Sequence, residues 1–321
     1  MARQSGNSKL QKAKKTKCDE FYTQLQDIER ELQYYTHCFQ DKVVYCNCDD
    51  PYISNFYRFF KNKFKTLGLK KLIASCYKEQ TNSIFKNAEI EFAYYSEYTG
   101  AQNPELFIPL KGNGDFRSQE CVSLLEQSDI VVTNPPFSLF REFVAQIVQH
   151  NKQFLLVGNV NAITYKEIFE LIQNNKAWLG VNLGRGISGF IVPEHYRLYG
   201  SEVRINEAGQ KIIATNGCLW LTNLEYEQRR KDLILTRQYF GNESDFPKYE
   251  NCDGINIDRT QDIPKDYAGL MGVPITFLHK YNPEQFEIIR FRKGDDGKDL
   301  RLPNKSLYFR ILIRNKRIVS L

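Results

Sequence analysis

The sequence predicts an α/β fold, a doubly wound and mostly parallel sheet with an antiparallel edge strand, followed by a C-terminal region of different character. Three observations carry this expectation. Short β-rich runs recur from residue 42, helix-period stretches separate several of them, and the rhythm stops near residue 184. Strands that alternate with helices imply parallel pairing through right-handed crossovers. Such sheets bind ligands in the crevice beyond their strand C-termini, so functional residues are sought directly after each run.

In chain order the expected strands are KVVYCN (42–47), KLIASCY (71–77), DIVVTN (129–134), QFLLVGN (153–159) and AWLGVNL (177–183). Helices are expected in SNFYRFFKNKF after 54, SLFREFVAQIVQH after 138 and YKEIFELIQNN after 165. In the second of these, Phe140, Phe143, Val144, Ile147 and Val148 fall on one helical face. AWLGVNL and CLWLTNL (218–224) are separated by a long Gly- and charge-containing excursion without a crossover helix, which predicts an antiparallel pair at one sheet edge. Beyond 225 the chain is polar and loop-rich, with MGVPITFL (271–278), EQFEIIRF (284–291) and LYFRILIR (307–314) as strands or short buried segments. The organisation expected is a basic arm over 1–17, a sheet domain over 18–224 and a separate region over 225–321.

Charge is unevenly spread across the 321 residues. Residues 1–17 hold six basic side chains and no acidic one, and residues 286–321 hold ten basic and four acidic, so the middle is net acidic although the chain totals +6. Basic ends around an acidic middle point to polyanion contact at the termini. With 42% hydrophobic and 13% aromatic residues the chain can bury a core. No apolar run approaches the roughly 20 residues of a membrane span, and the first residues lack the apolar stretch of a secretory signal. Eight cysteines form no CxxC pair and four histidines show no metal spacing, which fits scattered thiols in a reducing cytoplasm and no metal site.

Asn134-Pro135-Pro136-Phe137 follows directly on the strand DIVVT and precedes a helix. A rigid strand-to-helix turn would use proline in this way. The chemical reading is more specific. An exocyclic amino group on a nucleobase is a poor nucleophile because its lone pair is delocalised into the ring. Two acceptors on its N–H bonds, the Asn134 side-chain oxygen and the Pro135 carbonyl, localise that pair toward an incoming methyl. Proline adds no competing N–H and fixes φ. Phe137 would stack on the base, which must first leave the duplex at a cost of about a few kcal/mol. Stacking at roughly 1–3 kcal/mol per base offsets much of this.

With this motif the sequence resembles the amino-methyltransferases that use S-adenosylmethionine. The segments DEFYTQ (19–24), VVYCNCDDP (43–51), LKKLIASCY (69–77), GDFRS (114–118), SDIVVTNPPFSLFRE (128–142), LGRGISGFIVPEHY (183–196), CLWLTNL and MGVPITFLHK (271–280) resemble the EcoRI modification methylase family of adenine-N6 DNA methyltransferases, over nearly the whole chain. The resemblance implies the Rossmann-like class I methyltransferase fold, with the 225–321 region recognising the target. It also implies double-stranded DNA as substrate, the recognition sequence GAATTC methylated at its inner adenine by base flipping, and a companion restriction endonuclease acting on the same site. A cytoplasmic monomer is expected. A related enzyme acting on RNA or on a protein glutamine amide needs no large duplex-reading region, and a catalytically silent DNA-binding protein needs neither Asn134 nor the paired prolines.

Carried over residue by residue, the resemblance makes Asn134, Pro135, Pro136 and Phe137 catalytic. Tyr22 and Thr23 become candidates for the methionine portion of the cofactor, and either Asp49 or Asp50 for its ammonium group. Asp115 and Phe116 become candidates for its adenine. The usual glycine-rich turn is absent: Tyr52, Ile53, Ser54 and Asn55 stand there, and Ser54 could instead cap the following helix. No acidic residue ends the second strand, so the ribose contact stays unassigned. Gly184 to Gly189 formally matches GxGxxG, but no helix follows and no acidic partner lies about twenty residues on, so it is not a dinucleotide site. In that loop Phe190 could cover the other face of the adenine, and Arg185 could contact phosphate. Arg229 and Arg230 suit phosphate contact, although RRK at 229–231 could equally be a solvated helix face. Lys14 and Lys15 belong to an arm expected to grip the DNA backbone, with affinity falling steeply with salt.

Overall fold

The computed structural model describes residues 22–77, 92–182, 186–192, 203–206, 209–214, 217–292, 300–303 and 309–318. It is mixed α/β with multi-strand mixed sheets. The chain forms two units, Met1–Ala162 with Asn182–Leu224, and Ile163–Val181 with Glu225–Leu321.

The main sheet of the first unit contains β2 (Val43–Asn47), β3 (Lys71–Ser75), β4 (Tyr94–Tyr98), β5 (Leu106–Pro109), β6 (Ile130–Thr133), β7 (Gln153–Asn159) and β12 (Cys218–Thr222). Its spatial order is β5-β4-β3-β2-β6-β7-β12. The four central strands are parallel, with Asn47 level with Ser75, Tyr45 with Val131, and Thr133 with Leu156. Strands β2 and β6 are buried at every position, which explains why they read as unbroken apolar runs instead of alternating ones. The chain leaves β2 toward β3 on one side and returns to β6 on the other. The switch point therefore lies between β2 and β6, and the polar turns after Asn47 and after Thr133 open side by side.

Antiparallel strands close both flanks. β12 pairs with β7 antiparallel, Trp220 opposite Val157. On the other flank β4 and β5 form an antiparallel pair that the strand–helix rhythm does not anticipate. Their residues explain this: YYSEY carries polar positions and LFIP stays largely exposed, so neither resembles a buried parallel strand. Among the described residues of AWLGVNL, only Trp178–Leu179 (β8) is extended.

Helices follow from local chemistry. α1 (Leu25–Leu32) buries Ile28 and Leu32. α2 (Asn55–Asn62) is capped by Ser54, whose side chain accepts from the Phe56 and Tyr57 N–H groups, and it buries Phe56, Tyr57, Phe59 and Phe60. α3 (Gln119–Gln127) is capped by Ser118. α4 (Phe140–Gln149) buries Phe140, Phe143, Val144 and Ile147, and leaves Val148, the fifth residue of the apolar face read from the sequence, half-buried. Phe140 lies on Gly158 of β7, where an added Cβ would come within 2.7 Å of its ring. A second, antiparallel sheet joins β1 (Tyr22–Thr23), β9 (Phe190–Val192), β11 (Lys211–Ile213) and β10 (Val203–Ile205) in that order.

The second unit has a sheet built from Gly254–Asn256, Leu270–Pro274, Arg310–Asn315 and Phe286–Arg292, in that spatial order. The helix Lys166–Gln173 belongs to this unit: Gln173 Nε2 donates to the carbonyls of Ile288 and Ile289, and Phe169 packs on Phe291.

Candidate active site

The turn after β2 is held by a dense set of hydrogen bonds. Cys48 adopts a left-handed conformation (φ 64°) that ends the strand, and Asp49 and Asp50 follow, both buried. Ser54 Oγ donates to Asp49 Oδ1 (2.7 Å) while capping α2. Thr133, the last residue of β6, is hydrogen-bonded through Oγ1 to Asp49 Oδ2 (2.5 Å) and to the Asn47 carbonyl. Asp50 points elsewhere: its Oδ1 accepts from Tyr94 Oη (2.6 Å) and the Tyr52 N–H (2.9 Å). Burial raises both carboxyls, that of Asp49 to about 7. The exposed ring of Tyr52 stacks on Phe107 beside Asp50 (centroids 4.9 Å, planes 5° apart).

Asn134 directly follows Thr133, so its position is set by the bonds that fix the end of β6. Pro136 (φ −54°) leads into a single 3-10 turn, Phe137–Leu139, and then into α4. Phe137 and Phe190 meet edge to face, with centroids 5.9 Å apart and planes at 71°. Phe190 pairs with Thr23 across the second sheet, and Asn55 Nδ2, next to the α2 cap, donates to the Thr23 carbonyl (2.9 Å). The Thr23 hydroxyl is buried and has no hydrogen-bond partner among the described residues. Tyr22, Thr23, Asp49, Asp50, Asn134, Pro135, Pro136, Phe137 and Phe190 are thus linked through Asn55, Thr133 and adjoining backbone.

Asp115 and Phe116 sit in a loop set by Gly114 (φ 77°), where a Cβ would lie 2.1 Å from the Cys76 carbonyl at the end of β3. Arg117 grips Asp115 through Nε (2.9 Å), Nη2 (2.7 Å) and its own N–H, which holds the carboxyl below its usual range. The same guanidinium reaches Glu142 on α4 (3.0 Å), and Gln146 of α4 donates to the Phe116 carbonyl. Phe116 is buried against Phe143.

Arg229 and Arg230 lie in the second unit. Arg229 is 5% exposed, its guanidinium 3.6 Å from the centre of the Trp178 ring and bonded to Glu225 and Asn175. Arg230 is half exposed and pairs with Glu225 and Glu284. Arg185, Lys14 and Lys15 lie outside the described residues.

The sequence reading missed Thr133, Tyr94, Arg117 and the anchors of the loop that leads to Phe190. Asp27, fully buried, accepts from the Ser188 N–H (2.8 Å) and hydroxyl (2.9 Å), while Glu31, also fully buried, accepts from Tyr35 and from both nitrogens of Asn182. A signal existed: two acids at i and i+4 share the helical face of Ile28 and Leu32.

Among the described residues no group of three His, Cys, Asp or Glu side chains could hold a metal ion, and no helix is long and apolar enough to cross a membrane. A buried hydroxyl without a partner, joined through Asn55 to a turn with two desolvated acids, fits a small ligand that carries N–H donors and positive charge.

A strand-end Asn-Pro-Pro-Phe beside such a turn belongs to a methyltransferase that acts on an amino group, and comparison with known proteins makes the class adenine-specific. Residues 9–316 match the family described as adenine-specific methyltransferase EcoRI, and the chain belongs to that family. It is 60% identical to the type II methyltransferase M.EcoRI of Escherichia coli, with 99% of each chain covered. It is 42% identical to the type II methyltransferase M.MpnI of Mycoplasma pneumoniae, covering 87% of this chain and 84% of that protein. With M.MgeORF184P of Mycoplasma genitalium the identity is 36%, over 96% of this chain and 98% of that protein. No solved structure matches the chain.

Proposed function

We propose that the protein is a type II DNA methyltransferase that methylates N6 of the inner adenine of GAATTC, with S-adenosylmethionine as methyl donor. The observation that carries this is the junction at the switch point, where Asn134 follows a strand end tied to the aspartate turn and Phe137 stands against Phe190. The donor supplies a methyl group on a sulfonium cation. Thr23 and Asp50 are the residues suited to its methionine part, with Tyr22 beside them. Asp115 suits its adenine amino group once Arg117 yields, and Phe116 supports that loop from the core.

On the substrate side the Asn134 side-chain oxygen and the Pro135 carbonyl accept the two N–H bonds of an adenine taken out of the duplex. With its lone pair so localised the amino nitrogen would take the methyl group that the bound donor supplies, and it would lose its proton afterwards because the methylated nitrogen is acidic. Pro136 keeps an N–H away from this loop, Phe137 stacks on the base, and Phe190 braces Phe137 edge-on. The duplex is read by the 225–321 region, and Arg230, Arg185, Lys14 and Lys15 are suited to phosphate. The enzyme works as a cytoplasmic monomer, and its methyl marks protect the site from a companion endonuclease.

The test uses methyl-labelled S-adenosylmethionine and matched duplexes that contain or lack GAATTC. Label should enter only the first. Equal labelling of both would remove the sequence assignment, and no labelling of either would remove the reading as a whole.

A further inference from the structure

The hydrogen bonds around Thr133 contain one contact more than its hydroxyl can supply. Its Oγ1 is hydrogen-bonded both to the Asn47 carbonyl and to Asp49 Oδ2, at 2.5 Å. The carbonyl is an acceptor only, so the single Thr133 proton belongs to that bond. A carboxylate is also an acceptor only, and two bare oxygens do not rest at 2.5 Å. The remaining proton has one source among these groups, the Asp49 carboxyl itself.

We propose that Asp49 is a neutral carboxylic acid in the folded enzyme and a positioning residue, donating to Thr133 and so fixing the strand end that carries Asn134. The chain of donors is then complete and runs one way. The Phe56 and Tyr57 N–H groups donate to Ser54 Oγ, Ser54 donates to Asp49 Oδ1, Asp49 Oδ2 donates to Thr133, and Thr133 donates to Asn47. It links the helix cap on the cofactor side to the residue before the catalytic asparagine. The assignment separates two adjacent acids that the sequence leaves equivalent: Asp49 holds the frame, and Asp50 is left as the acid for a cationic ligand.

The surroundings favour the neutral form. Asp49 is 8% exposed, and burial moves its carboxyl to about 7. The titratable groups that face it are Asp50, whose charge pushes it further up, and the thiols of Cys46 and Cys48, which burial keeps protonated. An acid kept neutral so that it can donate a hydrogen bond is a known use of such an environment.

The inference deepens the reading of Asn134 as the adenine-amino acceptor, and its test separates the two. Carbon-13 carboxyl shifts of the Asp-labelled full-length protein, without DNA or donor, read the Asp49 proton directly, with Asp49→Asn to assign the signal. Asp49 should hold its proton well above the ordinary aspartate range and release it near neutral pH; release near pH 4 would overturn the proposal. Asparagine at 49 can still donate from Nδ2 and accept at Oδ1, so Asp49→Asn should bind S-adenosylmethionine within threefold of wild type. A loss as large as that of Asp50→Asn would also overturn it. Thr133→Val should lower kcat at least tenfold at unchanged donor affinity and Thr133→Ser should restore it, whereas an unaltered kcat in the valine variant would contradict the positioning role. If Asn134→Ala kept full activity, the reading of Asn134 would fail while the Asp49 titration stood.

Discussion

In the first unit the buried acids Glu31, Asp49 and Asp50 are met by hydroxyl, amide and backbone N–H groups, whereas in the second unit Arg229, Arg230 and Arg317 are met by carboxylates and an indole ring. Acids with neutral partners stay desolvated, so their protonation and their attraction for a cation remain adjustable. Arginines paired within the fold have already spent much of their charge. The basic excess of the C-terminal region therefore overstates the charge free for phosphate. Arg317, for example, bridges Asp232 (2.6 Å) and Glu284 (3.2 Å). Such half-exposed pairs are worth only about 0–1 kcal/mol and can exchange a carboxylate for a phosphate at little cost. Buried Arg229 cannot.

The largest effects are expected at the crevice. Asn134→Ala removes an acceptor needed only as the amine reacts, so kcat should fall by about 100- to 1000-fold with donor affinity unchanged in equilibrium dialysis. Next comes Asp49. Its folded-state value lies above its unfolded one, so its contribution to stability is full below about pH 4 and is lost as pH rises through about 7, on the order of 4 kcal/mol in all. Thermal unfolding should show Asp49→Asn gaining on wild type as pH rises across that window, and a constant difference would contradict the neutral acid.

Asp50→Asn should weaken S-adenosylmethionine binding by about tenfold or more, because hydrogen bonds to charged groups are worth about 1.5–3 kcal/mol. In the second unit, Arg229→Ala should cost about 1–2 kcal/mol of stability through the lost ring contact and stem packing. Arg230→Ala should cost less than about 1 kcal/mol of stability and lower the salt slope of DNA binding by about one. If Arg229→Ala left denaturant unfolding unchanged, the division between buried and exchangeable arginines would fail.

The sequence showed the parallel core well, because β2, β6 and β7 are buried runs whose C-termini had to meet at one crevice. It also showed the Asn134 turn and the helix that buries Phe140, Phe143, Val144 and Ile147. Three features could not be read from it. On the β4–β5 flank β4 carries polar positions and β5 is largely exposed, so neither gives the signal of a buried parallel strand. The helix Lys166–Gln173 is amphipathic, and amphipathicity does not say which sheet its apolar face will cover. The difference between Asp49 and Asp50 depends on Ser54, Thr133 and Tyr94, which only the fold brings to them. Arg229 looked like a phosphate ligand because the sequence does not show Trp178 beneath it.

The atom that receives the methyl group is the most direct readout of the Asn134 site. A GAATTC duplex with nitrogen-15 adenine at the inner position only, incubated with wild-type enzyme and deuteromethyl S-adenosylmethionine, digested to nucleosides and analysed by mass spectrometry, should yield deuteromethyl N6-methyl-2′-deoxyadenosine that carries nitrogen-15. Deuteromethyl on cytosine, on adenine without nitrogen-15 or on no base at all would contradict it.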